Sequence, residues 1–290
     1  MRKDFAVFIL THGRPHNQDT LQTLQRAGYK GKIYLVVDDL DDTLDEYKSL
    51  YDNVLVFDKM KYVNEAETGL SQPYIKFALF ARNAIEDMAR DMGLSYFVMA
   101  DDDLIKFRIR YPDGDKLRSL VIDDMDKLLE TYIDFMEESN VATTCFASHL
   151  NFIGGVKTIP DADSPKLRMC FNFYLRSVKY EVKWLSNICH DRITSIVFGR
   201  KGQIWLQVPF VQYDMRELYG INNGGNSDTY RKISDFHRSF FPVVFLPDCN
   251  YSSFWNRSGK WVTSISDYDS ICPKIVSSSY TNIHKHENMI

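Results

Sequence analysis

Three short apolar runs, each ending in a polar or acidic cluster, constrain this chain more than any other feature. Phe5–Thr11 is followed by Gly-Arg-Pro, Lys32–Val37 runs into Asp38-Asp39, and Ser95–Ala100 runs into Asp101-Asp102-Asp103. Runs this short and this continuously apolar read as strands buried on both faces. Between the first two, residues 17–27 place Leu21 and Leu24 at helical spacing, and Gly28 supplies a stop. Strand, helix, strand within so short a stretch is a βαβ unit, which requires a parallel sheet. A short helix is expected over 43–51 and a third strand over 53–57. A longer helix is expected over 74–92, where Phe77, Phe80, Ala84, Met88 and Met92 recur at threes and fours before Gly93. The expected fold class is α/β: a Rossmann-like, mostly parallel central sheet flanked by helices.

Beyond Pro112 the pattern changes. Residues 117–139 read as one amphipathic helix and 141–148 as a strand. From Pro160 onward aromatic, strand-like runs dominate, at 169–174, 193–198, 204–211 and 243–245, with a Gly/Asn-rich loop at 222–227. The reading therefore divides the chain into a nucleotide-binding half (1–115), a strand-rich acceptor-side half (116–270) and a polar, serine-rich tail (271–290). With 290 residues, 44% of them hydrophobic, the chain is long enough to bury a large core. A net charge of −4 gives no global reason to bind nucleic acid or an anionic membrane, so any such binding needs a local basic face. The run Phe5–Leu10 is too short for a signal peptide and no small-residue cleavage site follows it. No apolar stretch reaches the roughly 18 residues of a membrane span. Five widely spaced cysteines without zinc-ligand spacing read as reduced thiols of a cytoplasmic protein.

In a parallel α/β sheet, ligands collect beyond the carboxyl ends of the strands. Thr11 and Arg14, Asp38 and Asp39, and Asp101 to Asp103 stand at three such ends. On an extended segment Asp101 and Asp103 point the same way and can approach one cation together, with Asp102 turned to the other side. Their hard oxygens suit Mg²⁺ or Mn²⁺ bridging a diphosphate; the plainer alternative is a strand-end turn of solvated aspartates. Asp38 or Asp39 can accept hydrogen bonds from a base or ribose, or belong to a solvated acidic loop with Asp41, Asp42, Asp45 and Glu46. Arg14 and Arg82 match phosphate geometry, although Arg82 can equally pair with Glu86 along its helix. Asn223, Gly224 and Gly225 form either a loop that closes over a ligand or an ordinary surface loop. Lys106, Arg108 and Arg110 interleave with Phe107 and Tyr111; further basic groups are Arg192, Arg200 and Lys201, and then Arg231, Lys232, His237 and Arg238. Each group suits phosphates, and Trp184 or Tyr213 suits stacking on an extruded base, unless these are simply solvated faces and core aromatics.

The segments FAVFILTHGRP, VVDD, the helix containing ARN, and MADDD resemble the GT-A class of glycosyltransferases. More narrowly, they are similar to the bacteriophage TET-associated glycosyltransferases. DRITSIVFGRKGQIWLQVPFVQ and GINNGGNSDTY extend the likeness over about residues 5–235. The resemblance implies a GT-A fold, a nucleoside-diphosphate sugar, UDP-linked, and Mn²⁺ or Mg²⁺. It implies an acceptor in double-stranded phage DNA, a hydroxymethylated pyrimidine such as 5-hydroxymethylcytosine, and a place in the cytoplasm of an infected bacterium. It puts Thr11, Arg14, Asp38, Asp39, Arg82 and Asp102 at the donor nucleotide and Asp101 and Asp103 at the metal. Where many inverting members carry a Glu-Asp pair, this chain reads Cys189-His190-Asp191. Asp191 is then the candidate general base for the acceptor hydroxyl and His190 a candidate base or ligand, against the plain reading of a loop between helix and strand. A polysaccharide acceptor, and a nucleotidyltransferase or non-catalytic nucleotide-binding module, are the alternative functions.

Overall fold

The computed structural model of the chain describes residues 1–65, 77–159, 169–216, 233–256 and 259–265. Strand β1 (Phe5–Leu10) is buried along its whole length, as an all-apolar strand must be when neighbours cover both faces. Helix α1 (Asp19–Arg26) turns Thr20, Thr23 and Leu24 inward. It stops at Gly28, whose φ of +80° is left-handed, with Tyr29 N–H returning to the Leu24 carbonyl at 3.0 Å. A Cβ on Gly28 would lie 2.1 Å from the carbonyl oxygen of Asp123, so only glycine fits here. Strand β2 (Lys32–Asp38), helix α2 (Leu44–Leu50), strand β3 (Val54–Phe57), helices α3 (Lys59–Glu65) and α4 (Ala78–Asp91), and strand β4 (Tyr96–Asp101) complete the first half. β1 pairs in parallel with β2 and β4, and β2 with β3. The sheet of parallel strands read from the sequence is present.

The second half adds β5 (Leu104–Asp113), β6 (Lys116–Val121), α5 (Met125–Ser139), β7 (Thr143–Ser148), β8 (Phe173–Ser177), α6 (His190–Arg200) and β9 (Trp205–Met215). These strands extend the same sheet to nine, in the order β3-β2-β1-β4-β8-β7-β9-β5-β6. β8 is antiparallel to β4 and β7, and β5 is antiparallel to β6 and β9. Helix α7 (Asp235–Phe245) and a separate hairpin, β10 (Asn250–Trp255) with β11 (Lys260–Ile265), follow. One core packs Val7, Ile9, Leu24, Tyr47, Leu129 and Phe146 on the side of α1, α2 and α5. The other packs Phe8, Phe80, Ile85, Phe97, Tyr174 and Trp184 on the side of α4.

Three expected elements differ. Residues 117–121 are strand rather than the start of a helix: Gly114-Asp115, with Gly114 at φ +56°, turns a hairpin between the paired residues Asp113 and Lys116. The helix begins only at Met125, where the Asp124 carboxylate accepts the N–H of Lys127 at 3.1 Å. Residues 193–198 lie in α6, not in a strand. Ile193 and Ile196 face one core cluster while Phe198 faces another, so the helix is buried on more than one side and shows no single apolar stripe. Residues 243–245 end α7, whose N-cap Ser234 accepts from the N–H of His237 at 3.2 Å. Asn223, Gly224, Gly225, Arg231, Lys232 and the tail 271–290 lie outside the described residues. Among the described residues, no helix is long and apolar enough to cross a membrane, and Cys145, Cys170, Cys189 and Cys249 are thiols rather than disulfides.

Candidate active site

The parallel strands deliver their carboxyl ends to one corner. Thr11 follows β1, and its hydroxyl donates to Asp102 Oδ2 at 2.7 Å while receiving Gln18 Nε2 at 3.0 Å. Arg14 Nη1 reaches Asp102 Oδ1 at 3.0 Å, and the Arg14 backbone N–H donates to the Tyr47 hydroxyl at 2.9 Å. Thr20, in the first turn of α1, fixes the aspartate turn from beneath. Its hydroxyl donates to the Asp101 carbonyl at 2.6 Å and accepts from the Leu104 N–H at 2.9 Å. Its own N–H meets the Asp102 carbonyl at 3.1 Å.

After β2, Asp38 and Asp41 bracket His12, with Nδ1 at 2.7 and 3.2 Å from their carboxylate oxygens. Lys59 Nζ lies 3.0 Å from Asp38 Oδ1. Burial works to raise the Asp38 pKa, but the His12 hydrogen bond and the Lys59 charge outweigh it and hold it below the ordinary carboxylate range. Asp41 also accepts from the backbone N–H groups of Gly13 and Thr43. His12, Asp38 and Asp41 bring three ligand-type atoms within 4.8 Å of one another; Lys59 and these N–H groups already compensate the carboxylates there. Asp39 accepts the N–H of Lys59 at 2.8 Å and so opens α3.

Strand β4 ends at Asp101, and Asp102 and Asp103 lie in a turn rather than on the extended segment expected from the sequence, which sends the carboxylates different ways. Asp102 faces Thr11 and Arg14, whereas Asp101 faces α4 and α6. There Arg82 Nη2 donates to Asp101 Oδ1 at 2.9 Å and lies 3.7 Å from Asp191 Oδ1, while Arg82 Nε meets His190 Nε2 at 3.1 Å. The Arg82 side chain is 2% exposed and packs against the rings of Tyr174 and Trp184, 5.0 and 5.1 Å from their centroids. It is thus behind the aspartate rather than paired with Glu86, which forms a bidentate pair with buried Arg176 at 2.9 and 3.1 Å.

Asp191, at the start of α6, accepts from the Tyr174 hydroxyl. Burial alone would raise its pKa, but His190 and Arg82 hold it well below the carboxylate range. Asp101 is shifted up, because burial outweighs the Arg82 cation. Burial pushes Asp102 up to about 6 against the pull of Arg14. Burial and then the charges of Asp101 and Asp102 push Asp103 up to about 7. Asp103 Oδ1 is buried without a hydrogen-bond partner.

The structure therefore brings Thr11, Arg14, Asp101, Asp102 and Asp103 to one corner, with Asp191 and His190 joined to it through Arg82. His12, Asp41, Tyr47, Gln18 and Lys59 also take part and are not singled out by the sequence as site residues. His12 and Asp41 lie within two positions of residues that are, and position beside a strand end is their one signal. Trp184 and Tyr213 are 0% and 1% exposed, so neither stacks on an extruded base. Arg200 pairs with Asp248 and Arg238 with Asp235. Lys106 and Arg108 stand on β5 beyond the aspartates.

Among curated proteins no sequence matches this chain. Solved structures it resembles include a mannosyltransferase from Pyrobaculum calidifontis in complex with GDP-Man and Mn²⁺. That likeness has a TM-score of 0.47 and 11% identity, over 84% of this chain and 65% of the other. Another is glucosyl-3-phosphoglycerate synthase from Mycobacterium tuberculosis with Mg²⁺ and UDP (TM-score 0.43, 10% identity, 90% of this chain and 86% of the other). A third is S. aureus TarS with UDP-GlcNAc (TM-score 0.44, 11% identity, 84% of this chain and 66% of the other). The sequence matches the TET-Associated Glycosyltransferase family over residues 5–217, and the chain belongs to that family of glycosyltransferases.

Proposed function

We propose that this glycosyltransferase moves a sugar from a nucleoside diphosphate, UDP-linked, to a hydroxymethylated pyrimidine in DNA, with Mg²⁺ or Mn²⁺ held by Asp101 and Asp103. One observation carries the reading: Asp103, next in sequence to Asp101 and Asp102 at the end of β4, buries a carboxylate Oδ1 without a hydrogen-bond partner. Arg82 and Arg14 already pair with Asp101 and Asp102, so the unpaired Asp103 oxygen, a hard donor, is the one that suits a divalent cation. The cation would supply charge stabilisation for the departing diphosphate.

The chain's own residues do the rest. Thr11 and Arg14 fix Asp102, and Arg14 stands where a diphosphate oxygen would approach. His12, Asp38 and Asp41 offer a polar wall to the nucleoside. Asp191 is held ionised and oriented by Tyr174, His190 and Arg82, so it can accept a hydrogen bond from the acceptor hydroxyl at neutral pH. Its low basicity means it takes the proton late, when C–O bond formation has made the hydroxyl strongly acidic. The family membership favours a DNA acceptor.

Incubation of the enzyme with a panel of radiolabelled nucleotide sugars, Mn²⁺ and hydroxymethylated DNA tests the reading. Sugar should pass to the DNA, chelator should stop it, and Asp103→Asn should lower kcat by at least about a hundredfold, as for loss of a transition-state charge clamp. Transfer only to a polysaccharide overturns the acceptor assignment, and full activity of Asp103→Asn in chelator overturns the metal.

A further inference from the structure

Strand β5 leaves the aspartate turn at Leu104, and its alternate residues share a face. Phe107 turns into the core against Phe146 and Phe173, which leaves Lys106, Arg108 and Arg110 together on the opposite, partly exposed face. Across the ladder this face continues through Asp214 and Gln212 of β9 and Ser119 of β6. Asp214 is the acid among these neighbours, and Arg108 takes it, Nε to Oδ2 at 3.0 Å.

Arg110 has no ion-pair partner among the described residues. Its guanidinium carbon sits 5.3 Å from the ring centroid of Phe152, and its Nε is buried without a hydrogen-bond acceptor. Burial, with the neighbouring Arg108 cation, lowers its pKa, the direction expected of a cation that lacks an anion. His149, in the turn that carries Phe152, likewise buries an unpartnered Nδ1.

We propose that this face is the track for the phosphodiester backbone of a nucleic-acid acceptor, with Arg110 on Phe152 as its far contact. The inference rests on the DNA reading under Proposed function and adds where the strand lies. Alternate residues on an antiparallel strand repeat every 6.8 Å or so, about 3.4 Å per residue. That is close to the separation of consecutive phosphates on one nucleic-acid strand. Lys106, Arg108 and Arg110 therefore form a ladder with a phosphate-like repeat, beginning three residues, or about 10 Å of strand, from Asp103. Planar guanidinium groups suit phosphate oxygens, and the salt bridge to Asp214 fixes one of them. The chain as a whole carries −4, so a polyanion is not drawn to the surface at large and needs a local cationic path.

Fluorescence anisotropy with a short labelled duplex containing 5-hydroxymethylcytosine tests the track, using wild type, Arg110→Gln and Lys106→Gln/Arg110→Gln across a salt series. Each lost charge should reduce the slope of log K against log salt by about one, and the double variant should bind about tenfold or more weakly. UDP affinity should remain at the wild-type value. Variants that bind the duplex with wild-type affinity and slope overturn the track while leaving the DNA reading intact. A wild-type enzyme with no salt-dependent affinity for the duplex overturns the DNA reading, and the track falls with it.

Discussion

Arg82 joins the two parts of the site, because one guanidinium contacts Asp101, His190 and Asp191 while two rings pack against it. A lysine keeps the charge but not the fork. Arg82→Lys should therefore lower kcat on the order of a hundredfold, the cost of small misplacements of reacting groups, with UDP affinity measured by calorimetry little changed. A kcat equal to wild type would show that Arg82 positions nothing. Glu86 serves the core instead. It neutralises Arg176, whose side chain is 0% exposed, and receives Trp184 Nε1 at 3.2 Å. Glu86→Gln strands a buried cation and should cost about 3–5 kcal/mol in urea unfolding. At this scale the sequence disclosed which residue types gather at strand ends, but not their partners. Arg82 reads equally well toward Glu86 one helical turn on, and only the fold reveals that Glu86 is held by an arginine ninety positions away.

Among the elements, those whose apolar pattern has a single cause were legible. β1, β2 and β4 are apolar runs packed between neighbours, α1 buries one stripe, and α4 keeps the Phe80–Ala84 spacing although it is buried all round from Leu79 to Glu86. α6 was not legible, because β-branched Ile193, Thr194, Ile196 and Val197 favour a strand locally, while burial on two sides erases the helical period. The β5–β6 hairpin was hidden differently: Leu117, Leu120 and Val121 imitate a helix stripe, and the Gly114-Asp115 turn carried the missed signal. Two element-level measurements follow. Asp124→Ala removes the cap that starts α5 and should cost about 1 kcal/mol. Gly28→Ala meets both a left-handed φ and the Asp123 carbonyl. It should cost about 2–4 kcal/mol, a sum of backbone and overpacking penalties; loss of under half a kilocalorie in denaturant unfolding would mean that this loop yields easily.

For the whole molecule, the raised aspartates have a consequence for pH. Asp102 at about 6 and Asp103 at about 7 exceed the unfolded value of about 4. Between pH 4 and 7, then, the folded chain holds protons that the unfolded chain releases, and the stability of the cation-free protein falls as pH rises through that window. The lowered values of Asp38 and Asp191 act in the opposite sense, and do so below it. The Tm without divalent ion should therefore be higher near pH 5 than near pH 8, and Mn²⁺ should shrink the difference. A Tm profile untouched by Mn²⁺ would count against a cation beside Asp103. Finally, Thr20 bonds to the backbone of Asp101, Asp102 and Leu104 at once, so the first turn of α1 and the acidic turn form one rigid joint. Redirecting this enzyme to another ion or donor is consequently a two-segment problem, in which position 20 and positions 101–104 have to be exchanged together.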